Sequence, residues 1–143
     1  MSTKIQIDLK GFKGVSKKFN RLASRKIQNQ LLNPALKDGA KVILTESKSL
    51  APVLSGKLRD TLKVKKGPRS RKSISWFVQT GTRTRLQIPE SDAAYYPAAV
   101  EFGTKNAVAR PYMRPALENA SEEALNAVGK TLGQKIKESA RKK

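Results

Sequence analysis

Cysteine and histidine are both absent from these 143 residues. Without cysteine there is no disulfide framework, no thiolate nucleophile and no Cys-ligated zinc, and without histidine there is no imidazole base or ligand. Acidic residues are scarce, 11 against 30 Lys and Arg, and the carboxylates near the middle of the chain, Glu90, Asp92 and Glu101, have separations that imply nothing in particular. No Gly-rich phosphate loop, paired Asp-x-Asp motif, zinc spacing or nucleophile elbow is present. The apolar runs fall far short of the ~20 residues a membrane-spanning helix needs. Met1 to Lys10 carries scattered charge with no apolar segment, so neither a secretory signal nor a membrane anchor is expected. These absences predict a soluble, non-enzymatic protein of a reducing compartment, with no cofactor, no metal and no membrane partner. An enzyme would need a carboxylate cluster that the linear sequence does not reveal.

What is present is positive charge, +19 at neutral pH. Such a surface repels its own copies and attracts polyanions, acidic protein surfaces or acidic lipid. The length predicts one domain, 1–143, since domains run to roughly 100–200 residues.

Local patterns supply the elements. Ile5, Ile7 and Leu9 alternate with polar residues, which predicts a strand over 3–10 closed by Gly11 and Gly14. Phe19, Leu22, Ala23, Ile27 and Leu31 step by three and four, an amphipathic helix with Ser16 as N-cap and Lys17, Lys18, Arg21, Arg25 and Lys26 on its other face. A second helix is expected from Pro34 to about Leu50, with Leu36, Ala40, Ile43, Ser47 and Leu50 on one side. The two are equally readable as one long kinked helix. Residues 51 to 62 read as a turn feeding a strand. Leu58, Leu62 and Val64 share a parity that Ile74, Trp76 and Val78 repeat after Gly67-Pro68, so a hairpin is expected over 58 to 80. Its tip, about 63–72, carries Lys63, Lys65, Lys66, Arg69, Arg71 and Lys72, which serve either a partner or protection of the strand edge. Trp76 reads as core and not as a stacking platform, which would need several exposed rings.

Residues 82–94 lack periodicity and read as a long exposed loop. From Ala98 to Phe102 the alternation predicts a further strand, with Val100 and Phe102 on the buried face and Glu101 on the other, ended by Gly103. Pro111 and Pro115 force an extended turn before a terminal helix beginning at Pro115 and marked by Leu117, Ala124, Leu125, Val128, Leu132 and Ile136. Gly129 and Gly133 lower its propensity, so close packing of the helix on another helix or sheet is the expected compensation. A basic tail frays over about 139–143. The elements predict an α+β domain: a small, mostly antiparallel sheet made of the N-terminal strand, the long hairpin and one further strand, with helices on one face and a long C-terminal helix.

Three blocks then carry a resemblance. Ala-Pro-Val-Leu-Ser-Gly-Lys-Leu-Arg-Asp-Thr-Leu (51 to 62), Tyr-Pro-Ala-Ala-Val-Glu-Phe-Gly-Thr (96 to 104) and Ala-Arg-Pro-Tyr-Met-Arg-Pro-Ala-Leu (109 to 117) occur in the order seen in the gene-product-ten-like family of tailed-phage neck, head-tail joining and tail-completion proteins, which the chain resembles over nearly its whole length. The motif positions are Pro52, Ser55, Gly56, Leu58, Val100, Glu101, Phe102, Gly103, Thr104, Arg110, Pro111, Tyr112, Arg114 and Pro115. They are expected to shape the fold: Gly56 and Gly103 for backbone angles, Pro111 and Pro115 for the switch into the helix, Phe102 and Tyr112 for the core. The 82–94 loop and the basic excess depart from the family pattern.

The resemblance implies a virion structural protein at the head–tail junction or the top of the tail, assembled in the host cytoplasm. It implies a homo-oligomeric ring, taken to be sixfold, that meets the tail terminator or tail tube and the head connector while double-stranded DNA passes through its channel. On that reading Lys65, Lys66, Arg69, Arg71, Lys72, Arg83 and Arg85 face acidic partner proteins or DNA, the proteins being favoured because cation sites along a channel would hold the genome back. The alternative is a basic nucleic-acid-binding module that grips DNA through phosphate contacts, supported by net charge alone.

Overall fold

The computed structural model describes residues 25–52, 56–68, 73–81 and 97–141. The expected first strand, the helix start with its Ser16 cap, the hairpin tip and the 82–94 loop lie outside the described residues. In chain order the elements are α1 (Arg25–Leu50), α2 (Lys57–Thr61), β1 (Lys63–Lys66), β2 (Trp76–Gln79), α3 (Pro97–Phe102) and α4 (Met113–Arg141). The class is α+β, with a two-stranded antiparallel sheet and a long C-terminal helix.

The architecture centres on α1 and α4. Asn119 donates to Glu46 at 3.3 Å and Thr131 donates to Asp38 at 3.0 Å, while Leu31 and Ala35 cluster with Val128 and Leu132. Numbers rise along one helix as they fall along the other, so the pair is antiparallel. The buried face of α1 is Leu31, Ala35, Ala40, Ile43 and Ser47, and that of α4 is Met113, Ala116, Ala120, Ala124, Val128 and Leu132. Both step by three, four or five residues, the period of a helical stripe. Ser47 is fully buried yet satisfied, because its hydroxyl donates to the Ile43 carbonyl at 2.8 Å.

Of the two helical readings the single long helix is observed: α1 runs through Pro34 without a break. A proline in a helix interior costs about 3 kcal/mol, through a lost N–H and a clash one turn back. Its neighbours offset this, since Leu31 and Ala35 on either side of it are both buried against α4.

The buried stripe of α4 lies further round the helix than expected. Ala124, Val128 and Leu132 are buried, but Leu117 is half-buried and Leu125 and Ile136 are 39% and 40% exposed. The expected close packing on another helix is observed, along α1, but it does not occur at the two glycines themselves. A Cβ placed at Gly129 or Gly133 meets nothing within 4 Å, so neither is a packing contact. Gly39 of α1 takes that role: a Cβ there would come within 2.5 Å of Val128 Cγ2 and 3.1 Å of the Ala124 carbonyl oxygen. With alanines at 35, 40, 116, 120 and 124, the two backbones approach closely, and the smallest residue stands where they do so.

The hairpin is present but shorter than predicted. β1 and β2 pair with Val64 opposite Val78 and Lys66 opposite Trp76, preserving the expected parity. Leu58 belongs instead to α2, a single helical turn entered from Gly56, whose carbonyl accepts from the Asp60 N–H at 3.0 Å. Leu58 and Leu62 are four apart, a spacing that fits a helical turn as well as a strand, and both are buried. Trp76 is half-buried on α1: its indole N–H donates to Asn33 Oδ1 at 3.3 Å and the Lys37 ammonium lies 5.8 Å from the ring centroid.

Candidate functional site

The motif blocks converge on one place. Ala51, Leu58 and Leu62 from the first block and Tyr112 and Met113 from the third are buried in one cluster with Ile43, Val78, Ala120 and Ala124, and Val100 from the second block packs against it. Tyr112, 1% exposed, is the largest of the fully buried side chains.

The predicted strand over 98–102 is a helix, α3. Pro97 suits a first helical position, and Gly103 closes the turn by donating its N–H to the Ala99 carbonyl at 2.8 Å. An alternation only five residues long does not distinguish a strand from one helical turn. The faces therefore change: Glu101 is buried at 6% exposure, whereas Phe102, expected in the core, is 60% exposed.

Glu101 is buried because it holds the start of α4. One carboxylate oxygen accepts from the backbone N–H groups of Tyr112 at 2.8 Å and Met113 at 3.0 Å, and the other from Arg114 at 3.1 Å. A helix leaves its first four N–H groups without intrahelical partners. Here the fourth position is Pro115, which has none to satisfy, and Ala116 already donates to the Tyr112 carbonyl at 3.3 Å. Every donor at the entrance is accounted for, and the carboxylate sits at the positive end of the helix dipole. The helix consequently begins at Met113, two residues before the predicted start.

Between these elements the chain makes a pinned turn. Gly103 has φ +75°, and a Cβ there would come within 2.9 Å of the Ala109 nitrogen and 3.0 Å of the Ala107 carbonyl oxygen, so both its backbone angle and its space require glycine. Thr104 and Ala107 exchange backbone hydrogen bonds at 2.9 and 3.4 Å, the Thr104 hydroxyl accepts from the Asn106 N–H at 3.3 Å, and the Arg110 N–H returns to the Val100 carbonyl at 2.8 Å.

The remaining motif residues take the following places. Gly56 has φ +70° at the entrance to α2, Pro52 is half-buried just beyond α1, and Ser55 lies outside the described residues. Arg110, Pro111 and Arg114 are exposed and Pro115 is half-buried. Of the basic residues expected to face a partner, Lys65 and Lys66 are exposed on β1, while Arg69, Arg71, Lys72, Arg83 and Arg85 lie outside the described residues. The cap made by Glu101 was not foreseen. The signal for it was a helix entrance, Arg-Pro-Tyr-Met, with no Ser, Thr, Asp or Asn to cap it, which implies an acceptor from elsewhere in the chain.

Elsewhere electrostatics are modest. Burial raises the Asp38 carboxyl pKa, but hydrogen bonds from Thr131 and Lys41 and the charges of Lys41 and Lys37 outweigh it, leaving the group below its ordinary value. Among the described residues no group of His, Cys, Asp and Glu is placed to hold a metal ion, and no helix is long and apolar enough to cross a membrane.

Among the described residues the buried motif side chains thus serve the fold, while Phe102, Thr104, Arg110, Pro111 and Arg114 remain exposed around one pinned turn. A family model described as "Bacteriophage HK97-gp10, putative tail-component" matches residues 13–103. That span exceeds half of the 143 residues, so the chain belongs to this family and is a structural tail protein of a bacteriophage. As a tail component it resides in the virion and meets other virion proteins. No curated protein and no solved structure matches the chain.

Proposed function

We propose that the protein is a tail-completion or head–tail joining component that closes into a ring, sixfold in the simplest case, around the DNA channel at the top of the tail. The ring joins the tail terminator or tail tube to the head connector and is assembled in the host cytoplasm. The observation that carries the reading is the family match over 13–103, together with the convergence of all three motif blocks on one core. The buried motif residues hold the core together, and the exposed ones, with the β1 lysines, are available for contacts. The exposed β1 lysines then face acidic surfaces of adjoining virion proteins, in preference to DNA, whose passage they would retard.

Disruption of the gene in a phage that carries it tests this. The expected result is filled heads and separate tails accumulating in the lysate, with purified protein restoring joined, infectious particles. Joined, infectious particles in the absence of the protein would overturn the reading. The nucleic-acid-binding alternative rests on the +19 charge; it predicts normal head–tail joining together with loss of a DNA-dependent step.

A further inference from the structure

The end of α3 and the turn after it leave two large apolar side chains in solvent. Phe102 is 60% and Val108 89% exposed, on a segment pinned at Gly103, Thr104 and Arg110, and residues 104 to 111 are all exposed. Two exposed cations, Lys105 and Arg110, lie on the same segment. A pinned segment that offers apolar side chains and cations together fits a surface that offers an apolar side chain and acids.

This chain carries such a surface. On α4, Glu118, Glu122 and Leu125 are spaced by four and three residues and so form one stripe, and all three are exposed, Leu125 at 39%. The other described acids are mostly committed: Asp38 to Lys41 and Thr131, Glu46 to Asn119 and Ser49, Glu101 to the α4 entrance, and Glu138 to Lys135. The two ion pairs among the described residues leave Glu118 and Glu122 out. In a chain of charge +19, which repels its own copies, an acidic stripe that ends at an exposed leucine is where a copy can approach.

We infer that the Phe102–Val108 turn of one subunit docks on the Glu118–Glu122–Leu125 stripe of the next, with Lys105 and Arg110 against the two glutamates. The contact joins two different patches, so it repeats in series, as ring closure demands. It rests on the ring reading above and supplies the surface that reading needs.

The test uses full-length protein in native mass spectrometry and light scattering, with two variants: Lys105→Glu with Arg110→Glu, and Glu118→Lys with Glu122→Lys. Each alone should raise the concentration needed for half-assembly at least tenfold. Mixed in equal amounts they should assemble at the wild-type concentration, because the reversed tip of one fits the reversed stripe of the other. Rescue on mixing also shows that both variants are folded. Wild-type assembly that neither variant alters would overturn the contact and leave the ring standing, as would variants that are folded by circular dichroism yet stay monomeric when mixed. Rescue that stops at pairs would support the contact and contradict the ring.

Discussion

Helix α4 is held at two places by opposite means. Along its length it is held by small apolar residues packed against α1, with Gly39 at the closest approach; at its entrance it is held by one buried carboxylate that accepts three backbone N–H groups. The first grip is spread over many weak contacts and tolerates the loss of any one. The second is concentrated in a single side chain, and its loss strands several buried donors at once. The motif residue Glu101 thus owes its place to fold architecture: it welds the second block to the third, with the exposed turn between them.

The sharpest way to break this contrast is at Glu101. Replacing it with alanine should destabilise the protein by about 3 kcal/mol, from the lost cap and the unsatisfied N–H groups, while Glu101→Gln, which keeps one acceptor oxygen, should cost about half as much. Urea denaturation of the two variants measures both values. Equal, small effects would show that water satisfies the entrance instead.

Gly39 probes the other grip. Gly→Ala in an exposed helix interior gains about 1 kcal/mol. At Gly39 the new methyl would press on Val128 and on the Ala124 carbonyl, so the sign should reverse, to a loss of about 1 kcal/mol, rising to about 2–3 kcal/mol for Gly39→Val. Gly129→Ala and Gly133→Ala, which meet open space, should each stabilise by about 0.5–1 kcal/mol. Thermal unfolding of these variants side by side separates the two kinds of glycine within one helix pair.

The smallest effect concerns pH. The Asp38 carboxyl, held below its ordinary value, contributes stability that is present above about pH 4 and is lost as pH falls through its folded value. Because the side chain is 39% exposed, Asp38→Asn should cost about half a kcal/mol or less at pH 7 and nothing at pH 2. Denaturation midpoints at the two pH values check this.

The helices and the shared face of the hairpin were legible because their signal is periodic: Ala40, Ile43 and Ser47 on α1, Ala124, Val128 and Leu132 on α4, and the common parity of Val64, Trp76 and Val78, while the register required the fold. Short elements were not. Over 98–102 five residues satisfy either period, and the choice is made by Glu101, whose partners are eleven to thirteen residues away. Phe102 was misplaced for the same reason, since a change of period moves it to another face. That α4 packs closely on another helix was legible from Gly129 and Gly133, but the place of closest approach, Gly39, was not, because propensity reports what a glycine costs a helix and says nothing of what lies opposite. Of the candidate site, the motif blocks were legible as a resemblance, and their convergence on one core required the fold.

The measurement that bears most directly on the central claim is the mass of the purified full-length protein across a range of concentration and salt, by native mass spectrometry, with a DNA titration on the same samples. Closed rings, formed alone or on addition of a tail or connector protein, and weak DNA binding are expected. A strict monomer that ignores such partners, yet binds DNA tightly with an affinity falling steeply in salt, would overturn the ring reading.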